Sequence, residues 1–382
     1  MFDAAPHIEW ILKTGRMLTL QGLIDGLGAR LLEDGVPLMR LRLSMRTTHP
    51  LTAALSVFWE ARSAPLVQIT APHGLETRPA YTGSPMAEIA RTRAPFRRRL
   101  DASLSAQDHV SLHELRDRGA TDYYGLPFVF AMSSSGMCIF TSDGPAGFSE
   151  PQIKGFDAMA PVLAPVIEVH NNYQLATAIA TSYLGARTGQ RVLDGQITRG
   201  DIETIEAAVL ISDIRGWTAI NATRPARDAL DLANRYFEVI SDAVDKHDGE
   251  ILKFLGDGVL ALFPTDGTPE GRTKACQRAV AAARSARDIS AQSDMGADFG
   301  IGIHFGEVLY GNVGARARID FTVLGQAVNI AARIEALTGQ LGHAVLISDA
   351  VAQTVNQPVS LVGTEPLKGL TEPMRVYTPA SF

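Results

Sequence analysis

Apolar residues recur at two different spacings in the first half of the chain. Residues 10–32 carry one every three or four positions, which predicts an amphipathic helix. Short runs rich in Leu, Val, Ile and Phe predict strands at 37–43, 52–59, 66–69, 124–131 and 136–141. A second helical pattern starts at Ser149, a residue that can cap a helix, and continues to about residue 179. Pro161 and Pro165 fall inside this pattern and predict a kink or a break.

The second half alternates strand and helix patterns in a regular order. Strand patterns lie at 207–212, 250–263, 297–305, 319–324 and around 367–377. Helix patterns lie at 225–247, 269–292 and 325–338. The segment 250–263 contains two strand patterns joined by Gly-Asp-Gly, so the order is strand, helix, strand, strand, helix, strand. This βαββαβ order predicts a ferredoxin-like fold. The glycine-bearing stretch 180–204 before it predicts a connector.

Composition and charge narrow the class of protein. A chain of 382 residues with 46% hydrophobic and 20% charged residues is long enough for two globular domains. Its net charge of −6 gives no support for binding nucleic acid or an anionic membrane. Two cysteines, Cys138 and Cys276, are too few for a disulfide framework or a cysteine metal cluster. No run reaches the ~20 apolar residues that a membrane span needs, and the N-terminal residues lack the pattern of a signal peptide. We therefore expect a cytoplasmic protein.

Two aspartates lie where strand patterns end in glycine turns. Asp213 follows the apolar run 207–211, and Asp257 lies in the Gly-Asp-Gly turn of the hairpin 250–263. If the two strands are neighbours, both carboxylates emerge at one edge of the sheet. Asp-Gly alone is a common hairpin turn signal. Because Mg²⁺ prefers carboxylates together with substrate phosphates, the pair predicts a metal site.

Other polar residues suit a bound nucleotide. Asn329 and Arg333 are four positions apart in a helix pattern and so share one face. An arginine so placed can clamp phosphoryl oxygens, an asparagine can fix a ribose, and Lys368 can add a point charge. Taken singly, each has an ordinary structural explanation, such as an ion pair of Arg333 with Glu335 or Asp320. Together with the aspartates they predict metal-assisted phosphoryl transfer.

Four segments resemble the successive signatures of the class III nucleotidyl cyclase catalytic domain, the family of adenylate and guanylate cyclases. They are Ser-Asp-Ile-Arg-Gly-Trp-Thr at 212–218, Lys-Phe-Leu-Gly-Asp-Gly-Val at 253–259, the segment 321–333, and Leu-Lys-Gly-Leu-Thr-Glu-Pro at 367–373. The resemblance covers about residues 205–380 and keeps the family's order. It implies a head-to-tail homodimer with active sites at the subunit interface, so that each site is shared by two chains.

The resemblance implies a role for each motif residue. Asp213, Asp257 and the backbone carbonyl of Ile214 would hold two Mg²⁺ or Mn²⁺ ions per active site. The backbone amides that would bind phosphate oxygens are those of Gly216, Trp217 and Thr218. From the opposite protomer, Asn329 would orient the ribose and Arg333 would stabilise the transition state, while Lys368 would act near the triphosphate.

The choice of base depends, by the same resemblance, on Lys253 and Thr322. In the family a lysine with Asp or Thr at these positions reads adenine, whereas Glu with Cys reads guanine. The polarity agrees, because adenine N1 accepts a hydrogen bond from an ammonium and its amino group donates one to a hydroxyl. The implied reaction is the conversion of ATP to 3′,5′-cyclic AMP and pyrophosphate. A guanylate or pyrimidine cyclase remains an alternative, and so does a catalytically silent nucleotide-binding scaffold.

The first part of the chain carries weaker signals. Residues 1–170 resemble a GAF- or PAS-like α/β sensory domain without a diagnostic motif, and 171–204 are predicted to form a helical linker to the catalytic domain at 205–382. We expect a regulatory signal, such as a small molecule, to act on the first domain. The basic stretch 93–100 is interpreted as a solvated loop. The histidines that offer an alternative haem or metal site are His49, His73, His109 and His113. The predicted fold class is thus α+β.

Overall fold

The computed structural model describes residues 2–47, 52–61, 67–101, 104–131, 135–293, 295–316 and 318–380. The chain forms two compact units, residues 1–179 and 180–382. Helices and strands occur in both units, which confirms the α+β class. The finer division at residues 170 and 204 stays a prediction. Within the described ranges, no helix combines the length and the apolar character needed to cross a membrane.

The N-terminal unit is built on an antiparallel sheet of six strands. The helices are α1 (Ala5–Lys13), α2 (Leu20–Glu33), α3 (Pro85–Thr92), α4 (Val110–Asp117) and α5 (Glu150–Leu184). The strands are β1 (Leu38–Arg46), β2 (Ala54–Glu60), β3 (Val67–Ala71), β4 (Phe96–Arg99), β5 (Asp122–Val129) and β6 (Ser135–Ser142). Their spatial order is β3-β2-β1-β6-β5-β4. An α/β region therefore precedes the cyclase-like motifs, while its relation to GAF or PAS domains stays a prediction.

The strand β1 shows why this sheet has two different faces. Leu41 and Leu43 are fully buried in a core that also contains residues of α2 and α5. Arg40, Arg42 and Ser44 alternate with them and so project from the other face, since successive side chains of a strand point to opposite sides. One face of the sheet thus carries the main apolar core of the unit, and the other carries polar groups in its centre.

Two predictions in this unit are wrong in detail. The single helix predicted at 10–32 is two helices, because Thr19 accepts a hydrogen bond from the Gly22 amide and begins a new one. The basic stretch 93–100 is not a loop throughout: it contains β4, where Arg97 and Arg98 pair with Asp122 and Asp108 at 2.9 Å and 2.8 Å.

The helix α5 continues through Pro161 and Pro165 without the predicted break, while a kink there stays a prediction. Proline costs about 3 kcal/mol inside a helix. Buried residues before and between the prolines, Met159 and Leu163, pack into the core and offset that cost.

The C-terminal unit has an eight-stranded sheet with helices on both faces. The helices are α6 (Ala186–Leu193), α7 (Trp217–Thr223), α8 (Ala226–Lys246), α9 (Pro269–Gln292), α10 (Gln326–Leu341) and α11 (Asp349–Ala352). The strands are β7 (Ile202–Ile214), β8 (Glu250–Leu255), β9 (Gly258–Pro264), β10 (Phe299–Ala315), β11 (Arg318–Leu324), β12 (Val345–Ser348), β13 (Val359–Glu365) and β14 (Met374–Pro379). The main path is β13-β14-β12-β10-β7-β9-β8, and β11 pairs with β10 beside it.

The centre of this sheet has the predicted ferredoxin-like arrangement. Along the chain, β7, α8, β8, β9, α9 and β10 follow one another, and in space the strands run β10-β7-β9-β8. Alternate residues of β7 explain the two covered faces: Ala208 and Leu210 join the core with α8 and α9, whereas Val209 and Ile211 join the core with α10. The short elements α7, β12 and α11 were not predicted, since four to seven residues give too little periodicity to recognise.

Candidate active site

The two aspartates meet at one edge of the sheet. Asp213 lies at the end of β7 and faces Gly258, the first residue of β9, across the ladder. Asp257 precedes Gly258 in the turn from β8, and both carboxylates are half-buried. Gly258 allows this approach, because a Cβ there would lie only 3.2 Å from Asp213 Oδ1. The neighbouring strands thus bring the two carboxylates together, as the sequence predicts.

The electrostatics of this pair are unfavourable for two bare anions. Burial, followed by the charge of Asp257 and a hydrogen bond with it, raises the pKa of Asp213 to about 6. The Ile214 amide partly opposes this by donating to Asp213 Oδ1 at 3.1 Å. Among the described residues, neither aspartate forms an ion pair with a basic side chain. A cation bound at this edge would relieve both effects.

A third carboxylate, Glu335, faces the same edge and was missed as a site residue. Burial and then the charge of Asp213 raise the pKa of Glu335 to about 7. It reaches this place because α10 crosses close over β10 at Gly300 and Gly302. A Cβ on Gly300 would lie 2.7 Å from Glu335 Oε1, and one on Gly302 would lie 2.6 Å from the Ala331 carbonyl oxygen. Two glycines at alternate strand positions are a signal of such a close approach.

Glu335 acts on the pair through its charge. No group of three or more His, Cys, Asp or Glu side chains in the described part of the chain is arranged to hold one metal ion. The two aspartates therefore form the candidate metal site, and their half-buried, unpaired carboxylates fit a hard divalent cation.

Hydrogen bonds and an ion pair on both sides of Asp213, formed by Arg215 and Ser212, fix the end of β7. Arg215 donates from Nη2 to the His343 carbonyl oxygen at 2.6 Å, and its Nη1 lies 3.2 Å from Asp298 Oδ2. On the other side, the Tyr236 hydroxyl donates to the buried Ser212 Oγ at 2.8 Å. These contacts tie the end of β7 to the residues that follow α10, to the residue before β10 and to α8, so three other parts of the chain set the position of Asp213.

After Arg215, the backbone turns at Gly216 and begins α7. Gly216 has a left-handed conformation (φ 67°) and precedes Trp217, the first helical residue. The amides of Trp217 and Thr218 lie in the first turn, where N–H groups have no partner within a helix. The structure thus places Gly216, Trp217 and Thr218 directly after the Asp213 strand.

The residues predicted to bind nucleotide from α10 point away from the aspartates of their own chain. Asn329 and Arg333 both lie on α10, on the face that is not packed on β10. Glu335, two positions after Arg333, faces Asp213, and residues two apart on a helix point in nearly opposite directions. The carboxylate pair and the Asn-Arg pair therefore belong to different surfaces of one chain.

Lys368 lies beside Arg333 rather than beside the aspartates. Leu367 is buried in a small cluster with Ile330 and Ile334 of α10, which fixes the turn that follows. Gly369 in that turn has a positive φ of 83°, and a Cβ on it would lie 3.5 Å from Arg333 Nη1. The turn that carries Lys368 therefore lies against Arg333.

Lys253 forms an ion pair with Asp320. Asp320 was one of the two carboxylates that the sequence offered as an ion-pair partner for Arg333. The Lys253 Nζ lies 2.5 Å from Asp320 Oδ2, which joins β8 to β11. Thr322 is two positions further along β11 and so projects on the same side as Asp320. The Lys253 ammonium therefore contacts the strand that carries Thr322, while base recognition by the two residues stays a prediction.

The histidines of the N-terminal unit have structural contacts. His109 caps α4, with its Nδ1 accepting from the Ser111 amide at 3.2 Å. His113 Nε2 lies 3.0 Å from the Ser105 carbonyl oxygen. His73 belongs to no metal-binding group among the described residues, and His49 lies outside them.

Comparison with known proteins identifies the C-terminal part of the chain. Residues 202–378 match the family of adenylate and guanylate cyclase catalytic domains. An uncharacterized protein of Mycobacterium tuberculosis is 36% identical over 181 residues, which cover 46% of this chain and 33% of that protein. A second one from the same species is 35% identical over 184 residues, covering 47% and 34%. The chain thus spans about a third of the length of these curated relatives.

Solved structures similar to this chain include enzymes named for both purine nucleotides. The adenylyl cyclase CyaB from P. aeruginosa is 27% identical, covers 48% of this chain and 97% of its own, and has a TM-score of 0.41. The guanylyl cyclase Cya2 is 29% identical and covers 48% and 94%, also with a TM-score of 0.41. On the family match, residues 202–378 form a class III nucleotidyl cyclase catalytic domain, of the adenylate and guanylate cyclase family.

Proposed function

We propose that the protein is an adenylate cyclase that converts ATP to 3′,5′-cyclic AMP and pyrophosphate at two sites shared by a homodimer. The observation that carries the proposal is the pair of half-buried carboxylates, Asp213 and Asp257, which have no basic partner among the described residues of a cyclase-family domain. Catalytic domains of this family act as dimers on a nucleotide and use divalent metals.

The metal-binding part of the site comes from one chain. Asp213, Asp257 and the carbonyl of Ile214 would hold two Mg²⁺ or Mn²⁺ ions. When bound, these ions favour the ionised form of the ribose 3′-hydroxyl and neutralise charge on the triphosphate. The raised pKa of Asp213 supports this role, because an added positive charge keeps both carboxylates ionised at neutral pH.

The chain also offers groups for the phosphates. The amides of Gly216, Trp217 and Thr218 follow the Asp213 strand directly and can donate to phosphate oxygens. Arg333 lies against the turn that carries Lys368. A guanidinium there can stabilise charge on the α-phosphate in the transition state, and an ammonium can neutralise the leaving pyrophosphate.

The orientation of α10 is the argument for a shared site. Glu335 is close enough to Asp213 to feel its charge, and Arg333 lies two positions earlier on the same helix, so Asn329 and Arg333 face away from the aspartates of their own chain. A second copy can supply Asn329 to the ribose and Arg333 to the phosphate. A head-to-tail dimer then completes two sites, since each chain carries both halves.

Selection of adenine rests on Lys253 and Thr322. The contact of Lys253 with Asp320 holds its ammonium group near β11, on the side where Thr322 projects. An ammonium donates to adenine N1, and a hydroxyl accepts from the adenine amino group. Guanine presents a donor at its N1, which would face the Lys253 ammonium without forming a hydrogen bond.

The test is a nucleotide panel on the full-length protein. Purified protein is incubated with ATP, GTP, CTP or UTP and Mg²⁺ or Mn²⁺, and cyclic nucleotide and pyrophosphate are quantified. We expect cyclic AMP as the main product. Asp257→Asn should abolish it without loss of fold, whereas Asp248→Asn, in an exposed turn, should leave it unchanged.

The other outcomes of the panel decide between the alternatives. A main product of cyclic GMP or a cyclic pyrimidine nucleotide would replace the ATP assignment. Nucleotide binding without any cyclic product, by folded dimeric protein, would favour a silent scaffold.

A further inference from the structure

The N-terminal unit contains a cavity of about 450 Å³ against the polar face of its sheet. The floor is formed by β1 and its neighbours β2 and β6, and the roof by α3, α4 and residues 75–85. Apolar side chains such as Met86, Leu115 and Ile139 line much of it. Its volume is in the range of about 300–1,000 Å³ that is typical of small-molecule sites.

Arg42 lies at the centre of the cavity floor. It is opposite Phe58 of β2 and Ile139 of β6 in the ladder, so it sits on an interior strand between two apolar neighbours. Its Nε and Nη2 donate to Ser44 Oγ and Ser56 Oγ, each at 3.1 Å. A guanidinium has five N–H donors. The guanidinium also lies over the Phe58 ring, 4.8 Å from its centroid. These contacts are all to neutral groups, so no described anion neutralises its charge.

Three of the other arginines around the cavity lie near carboxylates, and the fourth, Arg78, is exposed to solvent. Arg118 donates to Glu60 at 2.9 Å and 3.0 Å, and Arg40 lies 4.0 Å from the same carboxylate. Arg46 pairs with Glu76. Arg42 forms no ion pair with any described residue. Glu114 also lines the cavity, but it is exposed on α4.

An unpaired cation in this position is costly. Burial, followed by the charge of Arg40, lowers the pKa of Arg42 to about 10. Burial also raises the pKa of the nearby Tyr123 hydroxyl, which lines the cavity and therefore stays a neutral donor. A buried charge is stable only when it is paired and hydrogen-bonded. An anion bound beside Arg42 would supply this pairing.

We propose that this cavity binds a small organic carboxylate with an apolar body, held by Arg42. A planar guanidinium matches a carboxylate with two parallel hydrogen bonds. Arg42 is the one cation of the described cavity floor without an ion pair, which favours one negative charge, and the apolar walls favour a hydrocarbon or aromatic body. This site lies within the N-terminal unit and does not depend on the proposed cyclase activity.

The experiment measures binding to the full-length protein by calorimetry and thermal shift. The probes are 3-phenylpropionate and decanoate, their neutral amides, phenyl phosphate and inorganic phosphate. We expect a carboxylate to bind at least about tenfold more tightly than its amide and than either phosphate. Tighter binding of phenyl phosphate would replace the carboxylate by a phosphate monoester. Equal binding of acid and amide, or no binding of any probe at millimolar concentration, would overturn the proposal.

Two variants locate the site. Arg42→Gln should weaken carboxylate binding at least about tenfold. The matched control Arg91→Gln, an exposed arginine on α3, should bind like the wild type. If Arg42→Gln does not fold, Arg42→Lys serves instead, because it keeps the charge but loses the two-pronged geometry and should still weaken binding. Wild-type affinity in the folded Arg42 variant would show that the anion site lies elsewhere.

Discussion

At the scale of single residues, the main feature is a group of carboxylates without a basic partner among the described residues. Asp213 and Asp257 are held beside each other without a basic partner among the described residues, and Glu335 adds a third negative charge. The Gly-Asp-Gly turn predicted the pair, because a hairpin turn beside a strand end brings two carboxylates together. Glu335 was seen only as an ion-pair partner of Arg333. Its actual surroundings depend on the close crossing of α10 over Gly300.

The first prediction concerns how Asp213 couples stability to pH. Its pKa is raised from 3.8 to about 6 in the folded protein. Between these values the folded state binds more protons than the unfolded state, so stability falls as the pH rises from about 4 to about 6. The Asp213→Asn variant lacks this loss. Thermal unfolding of wild type and variant in a chelator, from about pH 4 to pH 7, measures it.

The control for this measurement is Asp248→Asn, which should keep the wild-type pH dependence. A difference in the free energy of unfolding between Asp213→Asn and wild type that does not change with pH would show that Asp213 keeps an ordinary pKa in the folded protein.

A second prediction concerns the choice of base. The triple change Lys253→Glu, Thr322→Cys and Asp320→Asn should lower ATP turnover and raise GTP turnover, with a change in their ratio of at least about tenfold. Asp320 is included because it pairs with Lys253 and would otherwise repel a carboxylate there. Turnover of both nucleotides gives the ratio, and Asp320→Asn alone is the control. An unchanged ratio in a folded, active variant would remove Lys253 and Thr322 from base recognition.

At the level of elements, the orientation of α10 and the exposed apolar residues of α5 bear most directly on how two chains would associate. The α10 helix presents Glu335 to its own sheet and Arg333 away from it. Its helical pattern predicted that Asn329 and Arg333 share a face, but a periodicity does not say which sheet strand the opposite face covers.

The α5 helix carries four large apolar side chains that are exposed: Val169, Tyr173, Ile179 and Tyr183. Exposed apolar residues at such spacings suit a parallel helix pair in a dimer.

The third prediction follows from this helix. Inserting one residue after Tyr173, an exposed position, turns the rest of α5 by about 100° and should change basal cyclase activity several-fold. A site shared by two chains is sensitive to displacements of about 1 Å. A seven-residue insertion nearly restores the helical face and should change activity less. Basal cyclic nucleotide production across insertions of one to seven residues measures this, and a flat series would show that α5 is a passive tether.

For the whole molecule, the sequence pattern predicted the architecture of the C-terminal unit better than that of the N-terminal unit. The ferredoxin-like core followed from its strand and helix order, because each element is long and regular. The N-terminal unit was harder. Its cavity depends on Arg42 of β1 meeting Ser56 of β2 and Ile139 of β6, which are distant in sequence. A single charged residue in a strand pattern gives no sign of that environment. The predicted metal-binding aspartates and the predicted nucleotide-binding residues of α10 lie on different surfaces. This too can be recognised only when the orientation of α10 is known.

The central claim is that one catalytic site takes Asp213 and Asp257 from one chain and Asn329 and Arg333 from another. It is tested by coexpressing Asp213→Ala and Arg333→Ala chains with different affinity tags and purifying the heterodimer through both tags. Each homodimer of a single variant should be inactive. The heterodimer has one intact site of two and should make cyclic AMP at about half the wild-type rate. A verified heterodimer as inactive as its parents would contradict the shared site.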